Sequence, residues 1–175
     1  MTSKRTVFNQ LINFFWTITC FTGIVIYWWE SPSLPIMFLF ITISLISAAV
    51  PPRSYQLSRH STFYVRLGVK KIRLFVQDGG WRHSARDGGP TAEKVVRSRS
   101  QAAQYLRTVD MYQRYHLICL VFFTLSVCHA LVGHRPGMAI LMLASNIIYN
   151  VCPLLLQQYN WARIKSLQQR IRGSQ

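Results

Sequence analysis

Four stretches without Asp, Glu, Lys or Arg divide this sequence: residues 6–29, 31–52, 115–134 and 136–162, which are 24, 22, 20 and 27 residues long. A bilayer core of ~30 Å needs about 20 mostly apolar residues as helix, so each stretch can hold one membrane span. Only 14% of the 175 residues are charged and 50% are hydrophobic, whereas a soluble domain carries roughly 25% charged residues. The pattern predicts an all-α membrane protein, one integral membrane domain over 1–175. Its four transmembrane helices cover 7–29, 35–50, 115–133 and 137–158 and form two antiparallel hairpins. Pro32, Pro35, Pro51 and Pro52 bracket the second span, which is short enough to cross upright or to thin the bilayer locally. A re-entrant hairpin is the alternative there. The first stretch is longer than the ~7–15 apolar residues of a signal peptide and no small-x-small site follows it, so it is expected to stay as a span.

Charge then orients the chain. Of the 20 Lys and Arg, set against 5 Asp and Glu for a net charge of +15, all except Arg135 lie before the first span, between Arg53 and Arg114, or after the fourth span. The positive-inside rule puts both termini, the segment 53–114 and the basic tail 161–175 in the cytoplasm. Topology thereby accounts for the charge. The basic residues hug the membrane boundaries without a nucleic-acid-binding motif, and no nucleic-acid partner is expected.

Between spans 2 and 3 the composition turns basic and polar. In FYVRLGVKKIRLFVQ (residues 63–77) Arg66, Lys70 and Arg73 form one helical stripe beside Phe63, Tyr64, Leu67, Val69, Ile72 and Phe75. A basic stripe on an apolar helix predicts a segment lying in the membrane interface and binding anionic lipid headgroups. Gly68 is expected to kink it. Turn signals follow at Asp78–Gly80 and Asp87–Pro90, and from Thr91 the chain is expected to be helical into the third span.

Cys20, Cys119, Cys128 and Cys152 sit in apolar runs with no C-x-x-C, the usual setting of buried core cysteines. His83, His129 and His134 have no ligand partner at metal spacing, and His60, beside Arg59, has the setting of a solvated loop residue, with an accessory site residue as the alternative. No metal and no cofactor are expected.

Along the fourth span Asn146, Asn150, Pro153, Gln157 and Asn160 recur at steps of four, three, four and three, so they share a helical face. Amides facing lipid are costly, which turns this face into the bundle or toward a polar cavity. For the deep asparagines, interhelical hydrogen bonding is the favoured role. At the cytoplasmic end stand Gln157, Tyr159, Asn160 and Arg163. The short loop GHRPG makes spans three and four a hairpin and brings His116, at the start of span three, to the same face. Imidazole is the side chain best suited to take a hydroxyl proton near neutral pH, and amides with Arg can hold an oxyanion or phosphate. The set suits acyl transfer between a lipid-soluble acceptor and a cytoplasmic donor. It fits equally an interface-seeking His116 and a snorkelling Arg163.

On these residues the chain resembles the glycosyl-4,4'-diaponeurosporenoate acyltransferase family, small membrane enzymes that acylate a glycosylated carotenoid. FYVRLGVKKIRLFVQDGG is similar to that family's F-Y-E-x-L-G-[IV]-[RK]-x-W-K segment with an acidic-Gly turn. His116 matches its histidine at the start of a span. Asn150, Gln157, Tyr159, Asn160 and Arg163 match its N-x6-Q-x-Y-N-x-x-R ending. The resemblance implies His116 as catalytic base and the five ending residues as substrate-binding. It also implies a fatty acyl donor, a glycosylated isoprenoid or glycolipid acceptor, and a bacterial plasma (inner) membrane. Val65 stands where the family has Glu, Ile72 where it has Trp and Leu74 where it has an acid. The family's E-x-x-H becomes Gln113 to His116, so Gln113 is expected to orient the imidazole without supplying charge. The alternative is a non-catalytic integral membrane subunit or scaffold of a larger complex, with protein partners.

Overall fold

The computed structural model describes residues 4–31, 33–76 and 99–173, and among them every regular element is helical. Helix α1 covers Lys4–Glu30, α2 Leu34–Ser47, α3 Ser61–Arg66 and α4 Val69–Val76. Helix α5 covers Arg99–Val132 and α6 Pro136–Asn146. A π turn over Ile147–Val151 then joins α6 to α7, Cys152–Gly173. The Asp78–Gly80 and Asp87–Pro90 turns, His83 and the helix onset at Thr91 lie outside the described residues.

Helix α5 and the α6–α7 rod are long and apolar enough to cross a membrane, and α2 is a shorter apolar helix. The 14 residues of α2 rise only about 21 Å. It begins with Pro35 in its first turn, where a proline's missing N–H costs nothing. It ends in a turn whose Ala48 and Ala49 N–H groups bond the Leu45 and Ile46 carbonyls. Residues 161–173, expected as a tail, continue α7 as helix, because Ile164 packs on Ala102 and Leu106 of α5. Helices α5 and α7 thus stay paired outside the stretches expected to be the third and fourth spans.

The first pair is not a closely packed hairpin. Helix α2 packs along α5, while α1 packs on α6 and the π turn. Gly23 lets α1 come close to α6, since a Cβ there would lie 3.1 Å from Leu141. The two helices meet at their connection, where the Trp28 and Phe40 rings sit edge-on 5.8 Å apart. Here Trp28 donates its Nε1–H to Ser126 Oγ at 3.1 Å and stacks on His129. The Tyr27 hydroxyl is hydrogen-bonded to His129 Nδ1. His129 is thus a packed, bonded residue of the bundle. At the same end Arg135 pairs with Glu30 and donates to Ser31 Oγ at 2.8 Å. That ties the α5–α6 loop to the end of α1.

Gly68, with φ +78°, separates α3 from α4, so the expected kink is a full break. Tyr64, Val69 and Ile72 turn inward against Leu156, Tyr159 and Ala162 of α7. Arg66, Lys70 and Arg73 are exposed on the other side.

Candidate functional site

Asp110, Gln113 and His116 follow one another at three-residue steps on α5, a single helical stripe. The opposing face belongs to the α6–α7 rod, and its course is set by Pro153. Proline has no N–H for the carbonyl four residues back, which here is Tyr149. The chain accommodates this with the π turn, in which the Cys152 N–H reaches the Ile147 carbonyl five residues back. Such turns are frequent at functional sites. The Tyr149 backbone and the Asn150 side chain become the polar neighbours of His116.

Asn150 is held in one orientation. Its Nδ2 donates to Asn146 Oδ1 at 2.8 Å. Asn146 Nδ2 in turn donates to Thr124 Oγ1 at 3.1 Å and the Leu120 carbonyl at 3.3 Å on α5. Asn146 is therefore the interhelical bond the sequence predicts, and it aligns Asn150. The Asn150 Oδ1 is left buried and without a hydrogen bond. The Tyr149 hydroxyl lies 3.0 Å from Thr17 Oγ1 of α1 and 3.3 Å from the Tyr115 hydroxyl of α5. Its ring stands edge-on to Phe21 and His116.

The buried side-chain atoms without a hydrogen bond among the described residues are Tyr55 Oη, Asp110 Oδ1, Gln113 Nε2 and Oε1, His116 Nδ1 and Asn150 Oδ1. They form one row. Tyr55 lies in the field of Arg114 and Asp110. Asp110, Gln113 and His116 continue along α5, and Asn150 closes the row from the other helix. Each such group costs about 1–3 kcal/mol when unsatisfied, so the row is an expensive feature concentrated at a single seam. Burial raises the Asp110 carboxyl above its ordinary range, against the opposing pull of Arg53, Arg114 and Lys165. Burial also raises the Tyr55 phenol. Arg114 is anchored by a hydrogen bond from its guanidinium to the Ala48 carbonyl, at the end of α2.

Chemically the seam offers a base with acceptors at hand. An unpaired imidazole nitrogen can take a proton, and the resulting imidazolium N–H groups have Asn150 Oδ1 and the Tyr149 carbonyl to receive them. Gln113 is fully buried, at 0% exposure, but makes no hydrogen bond to His116.

The ending motif divides between two faces. Gln157 is buried and shares a stripe with Asn160, Trp161 and Ile164, the stripe that packs on α5. Tyr159 instead packs with Tyr64 and Val69 of the α3–α4 segment. Arg163, one turn beyond Tyr159, is half-buried. Sequence reasoning missed Gln158 and Tyr64. Gln158 donates to the Tyr55 carbonyl at 3.0 Å and accepts from Tyr64 Oη at 3.2 Å and from the Leu57 N–H at 3.3 Å. Tyr64 shares that one O–H with the Ser58 carbonyl, at 2.8 Å. Together they fasten the 55–58 segment to α7. Only the Phe-Tyr pair of the 63–77 motif hinted at this.

Fold and site define a helical protein with membrane-length elements and a buried polar seam between two of them. The sequence profile of the glycosyl-4,4'-diaponeurosporenoate acyltransferase (CrtO) family matches residues 50–170, and the chain belongs to that family. The match spans the whole polar row and the α3–α4 segment. It points to acyltransferase activity on a carotenoid glycoside, in carotenoid biosynthesis. No curated protein and no solved structure matches the chain.

Proposed function

We propose that this chain is a membrane-embedded acyltransferase that moves a fatty acyl group onto a hydroxyl of a glycosylated isoprenoid or glycolipid at the cytoplasmic face. The observation that carries the reading is His116, its buried Nδ1 unpaired and its polar neighbours supplied by the π turn, inside the family match. His116 takes the proton of the acceptor hydroxyl. The oxygen adds to the acyl carbonyl carbon, the bond from that carbon to the leaving group breaks, and the leaving group receives the proton back from the imidazolium. The products are the ester and the protonated leaving group. By this reading the developing oxyanion is held by the unpaired Nε2–H of Gln113 and by Gln157, both buried. Asn160 and Arg163 follow Gln157 along α7 and are half-buried.

Four spans with both termini in the cytoplasm, in a bacterial plasma membrane, complete the proposal. The basic bias supports it, as does the Glu30–Arg135 pair, which gathers the two expected outer connections at one end. The exposed Arg66, Lys70 and Arg73 then face anionic lipid headgroups. A second reading, a non-catalytic subunit of a membrane complex, is favoured by one observation: Gln113 stands in place of an acid and is unbonded. Expression in cells supplied with a glycosylated carotenoid, followed by mass spectrometry of extracted lipids, separates the two. The enzyme reading predicts a product heavier by one fatty acyl group. Its absence, with stoichiometric co-purification of a partner, favours the subunit.

A further inference from the structure

Next to the polar row, a cavity of about 700 Å³ opens between the 53–62 segment and α7. Arg53, Arg59, His60, Trp161, Lys165 and Ser166 are in its wall, which contains no carboxylate. Arg53 and Arg59 have no ion pair among the described residues, whose one salt bridge is Glu30 with Arg135 at the opposite end. Lys165 lies against the Trp161 ring, its Nζ 5.7 Å from the centroid. Asp110, outside the wall, is the carboxylate in the field of two of these three cations, and the positive charge it leaves uncompensated favours an added anion. Arginine's planar fork suits phosphate oxygens, and lysine adds a mobile point charge. The volume falls in the usual range of small-molecule sites, about 300–1,000 Å³.

The cavity is also placed to serve the seam. Arg53 and Lys165 lie both in its wall and in the field of Asp110, the first residue of the α5 stripe. From Asp110 to His116 is about 9 Å along the helix. A molecule held by phosphate groups in the cavity can thus extend an acyl arm to the base. We infer that the cavity binds the phosphate-bearing head of the acyl donor. This rests on the acyl-transfer reading of the row. A soluble phosphorylated thioester and a phospholipid share that chemistry.

The test uses the full chain in nanodiscs of zwitterionic lipid. Coenzyme A is titrated in one arm, and phosphatidylglycerol is added to the discs in the other, with tryptophan fluorescence as the readout. One of these probes binds, and its affinity falls about tenfold or more in the Arg59→Gln/Lys165→Gln double variant, weakens with salt and survives Arg59→Lys. Coenzyme A binding identifies the soluble source, and phosphatidylglycerol binding the lipid source. Binding of neither probe overturns the inference, as does binding unchanged in a double variant that keeps its wild-type melting temperature. Acyl transfer without phosphate binding overturns this inference alone. Phosphate binding without any acyl transfer overturns the acyl-transfer reading and, with it, the donor assignment.

Discussion

Gln113 stands where the sequence resemblance implies an acid. An acid three residues before a catalytic histidine would stabilise the imidazolium; an amide cannot. The structure supplies a partial substitute, since Asn150 Oδ1 and the Tyr149 carbonyl face His116 from the π turn. Gln113→Glu puts a carboxylate on the same helical stripe without rearrangement. It should raise the rate of acyl transfer several-fold, measured as ester formed per minute. It should also lower the melting temperature, because position 113 is fully buried and an ionised carboxylate is costly there. A rate unchanged beside a lowered melting temperature would mean that the π turn already supplies all the stabilisation His116 uses. The buried polar residues themselves were legible: Asn146, Asn150 and Gln157 recur at helical steps in an apolar run, and all three are buried. Tyr159 was not. Its direction is fixed by the packing of α3 and α4 on α7, a tertiary choice that periodicity does not encode.

Among the elements, the π turn contributes most to the site. Pro153 was visible as one member of a polar face, but its effect lies in the backbone, where a missing N–H diverts the hydrogen-bond ladder for five residues. Pro153→Ala restores that N–H and favours a regular helix by up to ~3 kcal/mol. The variant should therefore melt higher and transfer acyl groups more slowly, because the Tyr149 carbonyl is drawn back into the ladder and Asn150 rotates away from His116. Circular dichroism melting and the lipid assay check the two halves. An active, stabilised variant would show that the turn is dispensable. The α3–α4 segment teaches a complementary lesson. Its basic stripe and its glycine break were readable, since both are local. Its second face, which holds Tyr64 and Val69 against α7, looked like more membrane-facing surface.

For the whole molecule, the charge pattern and the packing agree on one point, that the two connections expected outside lie at one end. Arg135 is the one basic residue expected outside, and it pairs with Glu30, the acid at the end of α1. Helix lengths were harder to foresee, because α2 stops at Ser47 and α7 runs on to Gly173. Cysteine labelling in a cysteine-free background tests the orientation. An impermeant maleimide should label His134→Cys, at an exposed site in the loop between α5 and α6, from outside intact cells. It should label Lys70→Cys only after permeabilisation. Equal labelling from outside would refute four spans with cytoplasmic termini.

The central claim is that His116 moves the proton in acyl transfer at the α5–α7 seam. The most direct measurement is the acylated glycolipid formed by His116→Ala, compared with wild type at equal membrane levels of folded protein. General base catalysis contributes about 10²–10⁴-fold, so product formation should fall at least ~100-fold while insertion and the melting temperature hold. Product formed at the wild-type rate by His116→Ala would contradict the account.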